Sequence, residues 1–125
     1  MTMATISGWQ LQVERGPDWL FIRPQSPHGR EHLEVELADA LWQTMEEHMT
    51  HRLVLDMADV TLLRSWLIGQ LINLHKRIAT HDGMLRLCNL SKENEETLHV
   101  CQLHNQFPTY DNRHTAVMGE RAKPR

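Results

Sequence analysis

The residues of this chain best suited to chemistry are a set of soft donors, a scatter of carboxylates and one serine at an apolar turn. His99, Cys101 and His104 lie close together, with Cys88 upstream, and imidazole and thiolate hold zinc when such donors converge. On a single helix, however, His99 stands five residues from His104 and two from Cys101, and neither offset brings side chains to one face. Only Cys101 and His104, at i and i+3, can face together, with Cys88 joining them from a strand. The paired spacings of zinc motifs do not occur among the nine histidines and two cysteines, so surface or hydrogen-bonded histidines are expected, with no metal and no cofactor. The acidic residues are spread over helix faces as a solvated surface would have them, and neither a glycine-rich phosphate loop nor a G-x-S-x-G elbow is present. The chain is therefore expected not to be an enzyme; a small metal-dependent enzyme built on Cys88, Cys101 and His104 is the rival from another class.

The serine is Ser65, in "TLLRSWLIGQL" from Thr61 to Leu71, where an arginine and a serine interrupt an otherwise apolar run. A serine at a helix start can accept a backbone N–H, a cap that contributes about 1 kcal/mol. The same place suits regulation: a phosphate added there would face free N–H groups and the positive end of the helix dipole, so the domain tolerates about two added negative charges. A docked partner would not. Trp66 follows directly, and its ring is either folded into the core or offered to a partner, where tryptophan is enriched at hot spots.

The elements that must position these residues follow from periodicity. "WQLQVER" (Trp9 to Arg15) and "WLFIRP" (Trp19 to Pro24) flank "GPD" and read as an antiparallel hairpin. After the loop chemistry of "QSPHGRE", Leu33, Leu37, Leu41, Met45 and Met49 recur every four residues, which predicts a helix over Ala38 to His48. "RLVLDM" (Arg52 to Met57) suits a strand buried on both faces. A helix from Trp66 to Ala79 should turn Leu67, Ile68, Leu71, Ile72, Ile78 and Ala79 to one face, with Ser65 as its cap and "HDG" as its stop. "MLRLCNL" reads as a strand. Ser91 should cap a third helix with Glu93, Glu95 and Glu96 at its start and Leu98, Cys101 and Leu103 turned inward. "FPTY" suits a last short strand, "NRHTAVMGE" a closing helix, and "RAKPR" a frayed tail. Strands alternating with helices after a hairpin imply a mixed sheet with parallel members joined by crossover helices, so the class is α/β.

Size and charge limit the partners. The 125 residues suit one domain spanning 1–125, with a core of roughly residues 8 to 118. Hydrophobic residues make up 41% and charged residues 23%, as in ordinary globular chains. A net charge of -3 supplies no basic field to hold nucleic acid through its phosphates. "MTMATISGWQ" lacks the layout of a secretory signal and no run reaches ~18 apolar residues, so no membrane span is expected and the chain should stay in the cytoplasm, with both cysteines reduced.

The segment "LVLDMADVTLLRSWLIGQL" resembles the STAS domain of bacterial anti-sigma-factor antagonists, in which an apolar strand ends in Asp or Asn and Asp-Ser-Ser-Gly-Leu-Gly opens a helix. In register and without a gap, Asp56 falls on the strand-end acid, Ser65 on the phosphorylated serine and Gly69 on the second glycine. Arg64 stands where the family has an acid, Trp66 where it has the second serine, and Leu67 where it has the first glycine. "SPHGREHLEV" replaces the usual Gly-x-Leu-Asp segment. The resemblance implies a β/α fold and a partner switch. The unmodified protein would bind an anti-sigma factor that is also a serine kinase; that kinase would use ATP and Mg²⁺ to phosphorylate Ser65, and a phosphatase would reverse it. Asp56, Arg64, Ser65, Trp66 and Gly69 would contribute to partner binding. The alternative keeps the fold as an unphosphorylated scaffold or small-ligand sensor in which Ser65 is only a cap.

Overall fold

The structure is a computed structural model that describes residues 2–6, 9–25 and 37–119. The "QSPHGRE" loop beyond Gln25, the rest of "SPHGREHLEV" with Leu33, and the "RAKPR" tail lie outside the described residues.

A six-stranded sheet carries the fold, with its strands in chain order across it. It opens with β1 (Thr2–Ile6), β2 (Trp9–Arg15) and β3 (Leu20–Gln25), paired antiparallel. The hairpin read from Trp9 to Pro24 is present, its turn closed by Gly16 N–H donating to the Trp19 carbonyl at 2.8 Å. It extends into a three-stranded meander because β1 pairs along its whole length with β2. Nothing in the alternation of "TMATI" had marked it as a strand.

From β3 onward every pairing is parallel, and each crossover is a helix. Helix α1 (Leu37–Glu47) leads to β4 (Arg52–Asp56), α2 (Ser65–Thr80) to β5 (Met84–Cys88), and α3 (Lys92–Val100) to β6 (Thr109–Tyr110), after which α4 (Arg113–Met118) closes the described chain. One sheet face turns Leu11, Val13, Leu20, Ile22, Leu53, Leu55, Leu85 and Leu87 against Leu41 and Met45 of α1 and Leu67, Leu71, Leu74 and Ile78 of α2. The other face buries Trp19, Val54 and Cys88 beneath Ala116 of α4. That second cover is why β4 is buried on both sides, as its unbroken apolar run requires. Each fully buried leucine or isoleucine contributes about 1.5–3 kcal/mol, so the face covered by α1 and α2 dominates the stability.

Several expected details differ. Met49 is not on the apolar stripe of α1: it has left the helix with a φ of 54° and is 88% exposed. The buried stripe of α2 is Leu67, Leu71, Leu74 and Ile78, while Ile68 and Ile72 are half-buried and Ala79 is exposed. The stripe drifts by the 3.6-residue period, which brings Leu74 in and carries Ala79 out. Helix α3 is capped as expected, with Ser91 Oγ accepting the Asn94 N–H, but it stops at Val100, so Cys101 is exposed rather than inward. Asp82, with a φ of 57°, makes the left-handed turn after α2. Gly83 serves a different need, because a Cβ there would collide with the His51 carbonyl oxygen.

Candidate functional site

The β4–α2 connection, residues 57–64, carries the sequence's most distinctive motif and is held from three sides. At its start, Asp56 is 3% exposed. Its Oδ1 accepts from the Ala58 N–H and from Asn89 Nδ2, each at 3.1 Å, and its Oδ2 accepts from Arg113 Nε at 3.0 Å. Arg113 in turn donates to Glu14 at 2.8 Å. Asp56 was expected at the docking surface; the structure buries it, and its carboxylate spends its lone pairs on bracing the connection.

In the middle of the connection, Asp59 accepts a two-pronged pair from Arg23, Nε at 2.6 Å and Nη2 at 2.8 Å, and a third bond from Gln25 at 2.9 Å. The Arg23 hydrogen bond, then that of Gln25, hold the Asp59 carboxyl below the usual carboxylate range, and the same pairing raises the Arg23 guanidinium. At the far end, the fully buried Asn94 of α3 donates Nδ2 to the Val60 carbonyl and accepts the Leu63 N–H at Oδ1, both at 3.0 Å. Neither Asp59 nor Asn94 stands out as a site residue in the sequence. An asparagine at an inward position of an otherwise acidic helix start was the available signal for the second.

This scaffold delivers Ser65 to the first turn of the 16-residue helix α2, where it is exposed. Ser65 is not the cap: Arg64 holds that position with extended backbone, φ -82° and ψ 159°, and no side chain caps the helix. The expected Ser65 cap is therefore corrected by one residue. An arginine has no acceptor to offer, and the first turn contains no carboxylate, so the leading N–H groups and the positive dipole end remain uncompensated by side chains of the turn.

Trp66 is half-buried and stacks on Trp9 of β2, with ring centroids 6.2 Å apart and planes 18° from parallel. Together with Val60, Leu62, Leu67 and the Arg64 side chain, the two indoles line an open hollow of about 220 Å³. Leu62 at its rim is 47% exposed. Gly69, one turn beyond Ser65, is also exposed, and a Cβ there would meet nothing within 4 Å. Of the residues singled out in sequence, Arg64, Ser65, Trp66 and Gly69 therefore cluster around the start of α2, whereas Asp56 is in phase with Val54 on the other sheet face and bonds Arg113 of α4.

The soft donors do not converge with this surface or with one another. Cys88 is buried under α4, and burial first, with the Asp56 charge second, pushes its thiol up to about 12. Cys101 is exposed. His99 and His104, separated by spacing on an ideal helix, approach to 4.3 Å between ring centroids because α3 ends at Val100 and the chain reverses through Gln102 at a φ of 59°. Among the described residues no group of three or more His, Cys, Asp or Glu is placed to hold a metal ion, and no helix is long and apolar enough to cross a membrane.

Comparison with known proteins places this geometry. Among solved structures, the chain superposes on a candidate anti-sigma factor antagonist from Thermotoga maritima with a TM-score of 0.74 at 18% identity, covering 90% of this chain and 95% of that one. An anti-sigma factor antagonist from Mycobacterium paratuberculosis superposes with a TM-score of 0.71 at 16% identity, over 95% and 100% of the two chains. The Bacillus cell-fate determinant SpoIIAA in its phosphorylated form superposes with a TM-score of 0.60 at 13% identity, over 89% and 99%. At such identities the likeness is one of fold. No curated protein matches the sequence. The model of the STAS domain matches residues 11–116, nearly the whole of the described chain, and the protein belongs to the STAS domain family.

Proposed function

We propose that this STAS domain is an anti-sigma-factor antagonist that works as a partner switch, with Ser65 as its phosphoacceptor. The observation that carries the reading is the position of Ser65: an exposed hydroxyl in the first turn of a long helix with no side-chain cap among the described residues, between Arg64 and Trp66, which both line an apolar hollow. The protein is a binding module of the cytoplasm rather than an enzyme. Its partners are an anti-sigma factor that is also a serine kinase, which supplies ATP and Mg²⁺, and an opposing phosphatase.

In the unmodified state the partner covers Ser65, Trp66 and Gly69, and an apolar side chain of the partner fills the hollow between Trp9, Trp66 and Leu62. Arg64 borders the same surface, and Asp56 contributes indirectly, from the α4 side of the sheet, by holding the start of the connection through the Ala58 N–H. A phosphate on Ser65 is tolerated by the domain because the helix end and Arg64 favour negative charge there. In a desolvated interface the same dianion, left unpaired, costs several kcal/mol, and every 1.4 kcal/mol is about tenfold in affinity.

The test is incubation with the cognate kinase, followed by mapping of the phosphate and titration of partner binding. Wild type should be labelled and Ser65→Ala should not. Ser65→Asp should weaken binding by about tenfold or more. Equal labelling of Ser65→Ala would move the acceptor to another hydroxyl, with Thr61 and Thr80 as the competing candidates. A second reading, a scaffold or small-ligand sensor, draws on the open apolar hollow beside Trp66. Partner affinity indifferent to Ser65→Asp would favour it.

A further inference from the structure

The two edges of the sheet are unlike. The β6 edge is only two residues long, Thr109–Tyr110, and a strand that short offers little to a visitor. The β1 edge is five residues, "TMATI", paired without interruption from Thr2 opposite Val13 to Ile6 opposite Trp9. It contains no charge, proline or glycine, and its register with β2 shows no bulge, so the strand itself carries none of these protections of an edge, and among the described residues no helix or strand pairs over it. Among the described residues β1 pairs with β2 alone, which leaves alternate N–H and C=O groups directed away from the sheet.

We infer that β1 is a self-association edge, at which a second copy of this chain adds its own β1 antiparallel, joining two six-stranded sheets across a two-fold axis at Ala4. The occupant follows from the strand's own complementarity. Antiparallel pairing about Ala4 sets Ala4 opposite Ala4, Met3 opposite the second copy's Thr5, and Thr2 opposite the second copy's Ile6. The central pair is small, no like charges oppose, and the exposed Met3 gains a neighbour with a methyl group on the same face. A twofold arrangement of identical strands is the commonest symmetry for such contacts. The net charge of -3 is too small to hold two copies apart at physiological salt. The Ile6 end of the edge adjoins Trp9, and Trp9 stacks on Trp66, so the contact borders the hollow beside Ser65. The inference stands on the edge alone and does not depend on the phosphoacceptor reading.

A five-residue pairing buries less than a standard interface, so the expected dimer is weak, with a dissociation constant on the order of 10–100 µM. Sedimentation equilibrium of the full chain from low-micromolar to millimolar concentration should show a reversible monomer–dimer transition. Met3→Lys with Thr5→Lys puts like charges opposite one another at two cross-strand positions and should weaken the dimer by tenfold or more. Met3→Lys with Thr5→Glu puts opposite charges at the same positions and should restore it. Both pairs sit at exposed positions, so unchanged thermal unfolding of the dilute protein confirms that each variant folds. A wild type that remains monomeric throughout, a Lys/Lys variant that dimerises as wild type does, or a Lys/Glu variant that stays as weak as Lys/Lys would each overturn the inference.

Discussion

Asn94 on α3 and Leu63 in the β4–α2 connection are 31 residues apart in sequence, yet the side-chain Oδ1 of the first accepts the backbone N–H of the second at 3.0 Å, out of contact with water. The same side chain donates to the Val60 carbonyl at 3.0 Å. One carboxamide thus satisfies a donor and an acceptor of the segment that leads into Ser65. Asn94→Ala would strand both groups, and a buried unpaired polar group costs about 1–3 kcal/mol. Urea unfolding should show a loss of that size or up to twice it, with amide exchange accelerated at Leu63. Asn94→Asp keeps the acceptor and removes the donor, so it should protect Leu63 better than Asn94→Ala does.

The Arg23–Asp59 pair ties the connection to β3 and gives it a pH dependence of definite sign. The folded carboxyl lies below its ordinary value of 3.8, so it binds fewer protons folded than unfolded. Its contribution is complete above that value and is lost as pH falls through the lower folded one. Because both side chains are partly open to solvent, the contribution is modest, on the order of 1 kcal/mol. Stability measured by urea unfolding should drop for wild type below about pH 4, and Asp59→Asn should be less stable at pH 7 with a shallower drop on acidification.

Two glycines should respond in opposite directions. Gly69 lies within α2 with open space around it, so Gly69→Ala should raise stability by roughly 1 kcal/mol through helix propensity. Gly83→Ala drives a methyl group into the His51 carbonyl and the Ile78 side chain and should lower stability by about 1–3 kcal/mol or more. Thermal unfolding of the pair separates the roles. If Gly69→Ala also weakens partner binding, the flatness of that surface matters to docking and not to folding.

The thiols should divide cleanly. With its ionisation pushed up to about 12 and its side chain covered, Cys88 should not react with a disulfide reagent in native protein near pH 7.5, whereas the exposed Cys101 should. One equivalent is expected before denaturation and two after it. Cys101→Ser should abolish the native reaction.

The local periods of the sequence determined much of this protein. Alternation in "WQLQVER", the four-residue recurrence from Leu37 to Met45 and the buried run "RLVLD" each specify an element through contacts that repeat within it, and the STAS resemblance was readable around Asp56 and Ser65 for the same reason. Where an element ends, and what a polar side chain holds, are decided by residues far away. The cap of α2 fell on Arg64 because distant groups, Asn94 and Arg23, set the path of the connection, and His99 met His104 only because α3 stopped short. Strand β1 exists because β2 offers it an edge: "TMATI" has too weak a pattern to be a strand without that partner. Periodicity is a property of neighbours along the chain, while hydrogen-bond closure is a property of neighbours in space, and only the folded molecule brings the second kind together.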